Sequence, residues 1–242
     1  MNSNHKNFKI FVDFDRTITQ KDVGENMFLT FGDPEKANEI IQLWLDKKIT
    51  STQTWDLLCK TVENFNLDEF NRFLDGMKID ESFHSFAGYC NKNNYELKIL
   101  SDGLDYYIKN ILKRENLLDI EHFTNKVTFD KNNNLICEFP YTDEECKLCA
   151  NCKRNHIISN SSDDDYTVYV GDGWSDTCPA QYCDFIFAKK SLLKFCEQNR
   201  ISYFPFENFN DITIRIDKLS KKKRLKKRHQ AFLKRREAYM QG

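Results

Sequence analysis

Residues 8–19, FKIFVDFDRTIT, pass from a short run that is apolar apart from Lys9 (Phe8–Val12) into a loop that opens on Asp13 and carries a second carboxylate at Asp15. A short apolar run that stops abruptly at a carboxylate has the pattern of a strand buried on both faces of a parallel sheet. The same change of character recurs twice. Leu97–Leu100 ends at Ser101-Asp102-Gly103, and Thr167–Val170 ends at Gly171-Asp172-Gly173-Trp174-Ser175-Asp176. Asp184–Phe187 reads as a fourth strand, with a helix over Ser191–Gln198 after it. Helical spacing over Glu81–Lys92 (Phe83, Phe86, Ala87, Cys90), over Leu104–Lys113 and from about Lys153 separates these strands. Strands alternating with helices predict an α/β fold, a parallel sheet with helices on both faces.

Two stretches interrupt the alternation. Between Asp33 and Gly76, Ala37, Ile40, Ile41, Trp44 and Leu45, then Trp55, Leu57, Leu58 and Val62, then Phe70, Phe73 and Leu74 recur at helical spacing with no strand between them. They predict a helical insert. Lys126–Phe129 and Leu135–Phe139 flank the turn-rich Asp130–Asn134 and predict a small β-hairpin. The organisation expected is a core of residues 1–20 and 95–217 with the hairpin at about 126–140, a helical cap at 21–94, and a basic C-terminal tail at 218–242.

Composition narrows the class. Apolar residues at 40% and aromatics at 14% exclude a disordered or collagen-like chain. No apolar run approaches the roughly 18 residues of a membrane span. The polar start MNSNHKNFKIF does not read as a signal peptide. Nine cysteines, an odd number, fit a reducing, cytoplasmic setting better than a disulfide scaffold. The net charge of −1 hides a division: residues 218–242 hold eleven Lys/Arg against Glu237, a net +10, which leaves −11 on residues 1–217.

Ligands of open α/β sheets bind at the carboxyl ends of the strands, so the three strand-end loops are expected to converge on one site. Asp13, Asp15, Asp172 and Asp176 would repel one another there unless a cation sat among them. An all-oxygen ligand set suits a hard ion such as Mg²⁺.

The run FVDFDRTIT, then ILSDG, then Cys152-Lys153, then YVGDGWSD resembles the four motifs of the haloacid dehalogenase superfamily of phosphatases, in order. The helical insert resembles the C1-type cap of its phosphoserine phosphatase-like branch. The resemblance covers about residues 8–210. It implies a HAD-like Rossmannoid core with a helical cap, and Mg²⁺-dependent hydrolysis of a phosphate monoester on a small metabolite. By that resemblance Asp13 attacks phosphorus to form an aspartyl-phosphate, and Asp15 protonates the leaving alcohol and then activates water. By the same resemblance Asp13, Asp15 (through its carbonyl) and Asp172 hold the metal, and Asp176 binds it through water or orients Lys153. Ser101, Gly103 and Lys153 bind the phosphoryl oxygens, and Thr17 fastens the loop. Within the branch, the Cys-rich run before Lys153 and Phe187-Ala188-Lys189 through Phe204-Pro205-Phe206 resemble phosphatases of the methionine-salvage enol phosphate. Gly171 through Pro179 is also similar to phosphoethanolamine/phosphocholine phosphatases, and phosphoserine is a third substrate choice.

Several features carry two readings. Arg16, where many members have a small residue, is either an outward salt bridge or a contact to an anionic group of the substrate. Glu25 lies where phosphoserine-type enzymes recognise an amine, and is otherwise an exposed helix acid. Cys146, Cys149 and Cys152, with Cys137 and His156 nearby, offer a structural Zn²⁺ site or are reduced cysteines packed in the loop that delivers Lys153. The aromatics Phe28, Phe31, Trp44 and Trp55 form the insert's own core or a substrate cage. The basic tail is a solvated helix, an arm for an anionic partner such as RNA or a membrane surface, or a segment that docks on the acidic body of its own or a neighbouring molecule, the latter giving a homodimer.

Overall fold

The computed structural model describes residues 6–241. In chain order its first elements are β1 (Phe8–Val12), α1 (Val23–Phe31), α2 (Pro34–Leu45), α3 (Ser51–Cys59), α4 (Leu67–Asp75), α5 (Ser82–Lys92) and β2 (Glu96–Leu104). Next come α6 (Asp105–Arg114), β3 (Glu121–Phe129), β4 (Leu135–Glu138), α7 (Lys153–Ser159), β5 (Tyr166–Gly171) and a 3-10 turn (Trp174–Asp176). The last are α8 (Thr177–Ala180), β6 (Phe185–Ala188), α9 (Lys190–Gln198), β7 (Phe204–Pro205), α10 (Phe209–Ser220) and α11 (His229–Gln241). They divide into two compact units. One holds the chain up to Asp13, Asp80–Leu100 and the chain from Lys153 onward; the other holds Phe14–Ile79 and Ser101–Cys152.

The first unit is built on a parallel sheet in the order β2-β1-β5-β6-β7. β1 lies inside it, with Val12 opposite Ile99 of β2 on one side and Val170 of β5 on the other. Phe8, Ile10, Phe11 and Val12 are all fully buried, as expected of a strand covered on both faces. Each such side chain contributes about 1.5–3 kcal/mol by leaving water. Lys9, the polar residue in the run, pairs its ammonium with Glu96 on β2. Helix α5 packs Phe83 and Phe86 against Phe209 of α10, with ring centroids 4.8 and 5.2 Å apart. Its aromatic face therefore completes the core of this unit.

The basic segment from Lys218 onward is also part of this unit. Ala231 is fully buried and Arg235 is 2% exposed. Arg228 Nη2 donates to the carbonyls of Ala180 (2.8 Å) and Gln181 (2.6 Å), and Tyr239 Oη donates to Ile158 O (2.9 Å). The thin apolar stripe suggests a solvated helix, but arginine and tyrosine donors meeting backbone carbonyls do the anchoring that leucines would normally do. Lys221, Lys222, Lys223, Arg224 and Lys226 remain exposed.

The second unit contains helices α1–α4, α6 and the antiparallel β3–β4 hairpin, in register from Lys126 opposite Glu138 to Phe129 opposite Leu135. The short helices begin at strong caps: Asp22 accepts from Glu25 N, Asp33 from Glu35 N and Lys36 N ahead of Pro34, and Asn66 from Asp68 N and Glu69 N. Thr50 and Gln53 form a capping box on α3. Phe31 sits 5.8, 5.7 and 5.5 Å from the rings of Phe65, Phe70 and Phe73, and Phe65 stacks on Phe129 at 5.6 Å. Phe28 meets Trp55 at 5.7 Å. Phe28, Phe31 and Trp55 thus pack on other aromatics as a core, while Trp44 Nε1 donates to Ser51 Oγ at 3.2 Å. Among the described residues, no helix is long and apolar enough to cross a membrane.

Candidate active site

Asp13 follows β1 directly, its N–H donating to Val170 O of β5 at 2.9 Å, so the strand pairing fixes its backbone. Asp172 follows β5, and Asp176 closes the 3-10 turn after it. The three carboxylates, all buried, each bring one oxygen within 4.8 Å of the others; no other group of three or more His, Cys, Asp or Glu side chains does so among the described residues. Lys153, the first residue of α7 and only 3% exposed, reaches into this cluster. Its Nζ donates to Asp13 Oδ1 (2.6 Å) and Asp176 Oδ1 (2.8 Å), with Ser175 Oγ at 3.4 Å.

Asp176 is the most fully held. Tyr169 Oη donates to Oδ1 at 2.6 Å, and the backbone N–H groups of Asp172 and Gly173 donate to Oδ2 at 2.9 Å each. Gly171 must lack a side chain, because a Cβ there would lie 2.4 Å from Asp176 Oδ2. Asp172 receives Lys190 Nζ at 3.1 Å.

The charges follow from this packing. Burial and the nearby Asp176 push the Asp13 carboxyl well above the usual carboxylate range, against the pull of Lys153. Burial and Asp176 also raise Asp172, while Lys190 opposes them. Burial works against the Lys153 ammonium, yet Asp13 and Asp176 prevail and hold it more firmly protonated than a free lysine. Three crowded carboxylates with one buried cation among them leave an excess of negative charge. A hard divalent cation with oxygen ligands fits that donor set.

The second unit supplies another group of polar side chains. Asp15 accepts from Val23 N at Oδ1 (2.7 Å) and from Tyr107 Oη at Oδ2 (2.8 Å), which fixes both oxygens. Burial, then the Asp15 charge, raises the Tyr107 phenol well above its ordinary value, so it stays a donor. Ser101 is buried, and its Oγ accepts from Gly103 N at 3.0 Å. That bond commits the Gly103 amide and leaves the Ser101 hydroxyl proton free to donate. Gly103 has a steric role too: a Cβ would fall 1.8 Å from Tyr107 Oη and 2.9 Å from Asp15 Oδ2. Thr17 is buried, and Thr19 Oγ1 ties the same loop by donating to Lys21 O (2.6 Å) and accepting from Arg16 N (3.1 Å).

Residues 8–214 match the family described as "Putative Phosphatase". The chain belongs to this phosphatase family. It is 30% identical over 214 residues to the 2-hydroxy-3-keto-5-methylthiopentenyl-1-phosphate phosphatase of Bacillus mycoides, covering 87% of this chain and 96% of the relative. It is 31% identical over 207 residues to the enzyme of the same name from Bacillus cereus, covering 84% and 93%. A substrate-bound phosphoserine phosphatase shares the fold at 17% identity with a TM-score of 0.67, over 87% of this chain and 98% of that one. So does a HAD-family hydrolase from Salmonella enterica serovar Typhi, at 16% identity and TM-score 0.67, over 84% and 69%. The chain is thus a phosphoric monoester hydrolase with the α/β fold of the HAD superfamily.

Within this phosphatase the structure brings together Asp13, Lys153, Asp172 and Asp176 in one unit, and Asp15, Ser101 and Gly103 in the other. The zinc expectation is corrected. Among the described residues, Cys146, Cys149 and Cys152 form no ligand cluster with one another, although their segment is wound into a turn. Asp143 Oδ1 accepts from Glu145 N and Cys146 N, Lys147 N donates to Asp143 O, and Cys152 N donates to Tyr141 O at 2.7 Å. Cys152 is buried while Cys146 and Cys149 are half-buried. Cys137, the candidate fourth ligand, instead places its Sγ 3.1 Å from Cys59 Sγ.

Arg16 adopts a left-handed φ of 58°. Its guanidinium pairs with Glu25 and lies 3.6 Å from Asp22, which is the salt-bridge reading. Tyr169, Tyr107 and Lys190 carried no signal in the sequence. Tyr169 reads as one more aromatic of a buried strand, Tyr107 as part of a helix face, and Lys190 as one of many lysines.

Proposed function

We propose that this phosphatase hydrolyses a small phosphorylated metabolite through an aspartyl-phosphate on Asp13, with Mg²⁺ as cofactor. The observation that carries the reading is the buried cluster in which Lys153 bridges Asp13 and Asp176 beside Asp172. Asp13, Asp172 and Asp176, with the backbone carbonyl of Asp15, are the groups we assign to the metal. When bound, Mg²⁺ supplies Lewis-acid charge that offsets the repulsion between Asp13 and a phosphate dianion.

Lys153 engages Asp13 Oδ1 and leaves Oδ2 to attack phosphorus. The same ammonium, held protonated by its two carboxylates, meets the charge that develops on the phosphoryl oxygens. The Ser101 hydroxyl, oriented by the Gly103 amide, donates to a phosphoryl oxygen. Asp15, two residues beyond Asp13 in the chain, delivers a proton to the leaving alcohol and takes one from water in the second step. Its fixed oxygens, bonded to Val23 N and Tyr107 Oη, keep the carboxyl from rotating away.

The names of the Bacillus relatives favour 2-hydroxy-3-keto-5-methylthiopentenyl-1-phosphate, the methionine-salvage enol phosphate, as substrate. The Arg16–Glu25 pair supports the same choice, since Glu25 already has a cationic partner and an ammonium-bearing ester would have to compete for it. An anionic partner would find the exposed Lys221–Arg224 and Lys226. The test is turnover of a panel of phosphorylated metabolites, with p-nitrophenyl phosphate as a general substrate, with and without Mg²⁺. Activity should require the metal and fall at least a hundredfold in Asp13→Asn; an Asp13→Asn protein as active as wild type would sink the reading.

A further inference from the structure

Lys190 opens helix α9 against the preferences of the chain. Its φ is 48°, in the left-handed region that residues with a Cβ other than Asn and Asp enter uncommonly. Its charge stands at the positive end of the α9 dipole, where a cation is disfavoured. Lys189 before it, at the N-cap position, makes no side-chain bond to the first N–H groups of the helix. Glycine, serine or aspartate would suit these two positions better on local grounds.

The contact that this arrangement secures is to the carboxylate cluster. Lys190 Nζ donates to Asp172 Oδ2 at 3.1 Å, while its side chain stays 51% exposed. The same helix start grips the loop that carries Asp172: Lys189 N donates to Gly171 O (3.3 Å) and Leu192 N to Asp172 O (3.0 Å). Asp172 therefore cannot drift from Lys190. Lys153 and Lys190 differ in kind. The first is buried and held between two carboxylates; the second reaches in on a flexible stem that water already surrounds.

We propose that Lys190 sets the divalent-cation affinity of the Asp13–Asp172–Asp176 cluster by competing, as a tethered ammonium, for Asp172 Oδ2. The inference rests on the metal reading given above. A dication that takes Asp172 must release Lys190 and then tolerate its charge nearby. Removing that charge strengthens metal binding without adding a ligand.

Isothermal titration of the whole protein with Mg²⁺, and with Mn²⁺ as a second probe, tests this directly. Lys190→Gln is expected to lower Kd about threefold to tenfold, the range for a half-exposed, partly screened charge. Lys190→Arg should stay near wild type. Lys190→Gly, which suits a φ of 48°, should give the same gain as Lys190→Gln and guards against misfolding. A Kd within about twofold of wild type in both the Gln and Gly variants overturns the proposal alone. No saturable binding of either ion to wild type or any variant overturns the metal reading and this inference with it.

Discussion

Replacing Lys153 with Met tests the electrostatics of the cluster most sharply. The ammonium is 3% exposed, so water cannot take over its bonds to Asp13 (2.6 Å) and Asp176 (2.8 Å). Asp176 keeps three donors, from Tyr169 Oη and the N–H groups of Asp172 and Gly173. The loss therefore falls mainly on Asp13. Breaking a buried ion pair from one side costs about 3–5 kcal/mol, and with one carboxylate bearing it the expected cost is about 3 kcal/mol at pH 8. Burial and Asp176 already raise the Asp13 carboxyl, and Lys153 is what opposes them, so the variant raises it further. A carboxyl raised in the folded state supports folding fully below its unfolded value of about 4, and loses that support by about 1.4 kcal/mol per pH unit as pH climbs toward the folded value. The deficit against wild type should then be larger at pH 8 than at pH 5. Urea unfolding in EDTA at both pH values measures it. A deficit under about 1 kcal/mol at pH 8, or one equal at both pH values, would refute the reasoning.

Gly103→Ala forces a Cβ to within 1.8 Å of Tyr107 Oη, and should destabilise by about 1–3 kcal/mol and depress turnover by moving Asp15. In the Gly103→Ala/Tyr107→Phe double variant, where the clashing oxygen is gone, thermal unfolding should show part of that stability restored. Arg235→Met strands Asp184 in the interior and should cost about 3–5 kcal/mol, yet kcat per folded molecule should hold. Its partner Thr167 stands five residues before Asp172 along β5, about 16 Å at the strand rise, so denaturant midpoints and active-fraction-corrected rates should separate.

The strands and the catalytic loops were legible because two constraints coincide in them. Phe8–Val12 and Thr167–Val170 must be apolar to be buried on both faces, and Asp13 and Asp172 must be charged to do chemistry where those strands stop. The change between the two is local in sequence. The supports of the site were not legible, since each is a side chain meeting a distant partner. Tyr169 holds Asp176, Tyr107 holds Asp15 and Lys190 holds Asp172, and nothing in the neighbours of a tyrosine or lysine marks it for that bond. The cysteine run erred the other way: Cys146, Cys149 and Cys152 have a suggestive spacing, but spacing alone does not bring three sulfurs onto one point, and here they form no cluster. Helix α1 was only faintly legible, in the reading of Glu25 as a helix acid, for a third reason. Its nine residues (Val23–Phe31) are announced mainly by the Asp22 cap.

The polarised charge of the chain acquires a physical meaning at the two ends of β5. At the carboxyl end, Lys153 stands among the carboxylates of Asp13 and Asp176; at the amino end, Arg235 stands beside Asp184, its Nη2 3.5 Å from Oδ1, while Nη1 donates to Tyr182 O (2.6 Å) and Thr167 Oγ1 (3.2 Å). Both cations are buried, yet their chemistry suits different work. A lysine ammonium is a compact charge on a flexible stem, able to follow a phosphoryl group as it moves. A guanidinium is a rigid fork that cannot shed its proton, and here it fastens a helix of the basic segment to the start of a central strand. Asp184 Oδ2 accepts in turn from Thr167 N (3.1 Å) and Oγ1 (3.0 Å), so the arginine locks the β5–β6 register from outside the sheet. Some of the +10 charge on residues 218–242 is therefore structural. Deleting the segment would remove Arg235 and expose the faces that Ala231 and Tyr239 cover, so its loss should be felt as instability before it is felt as altered chemistry.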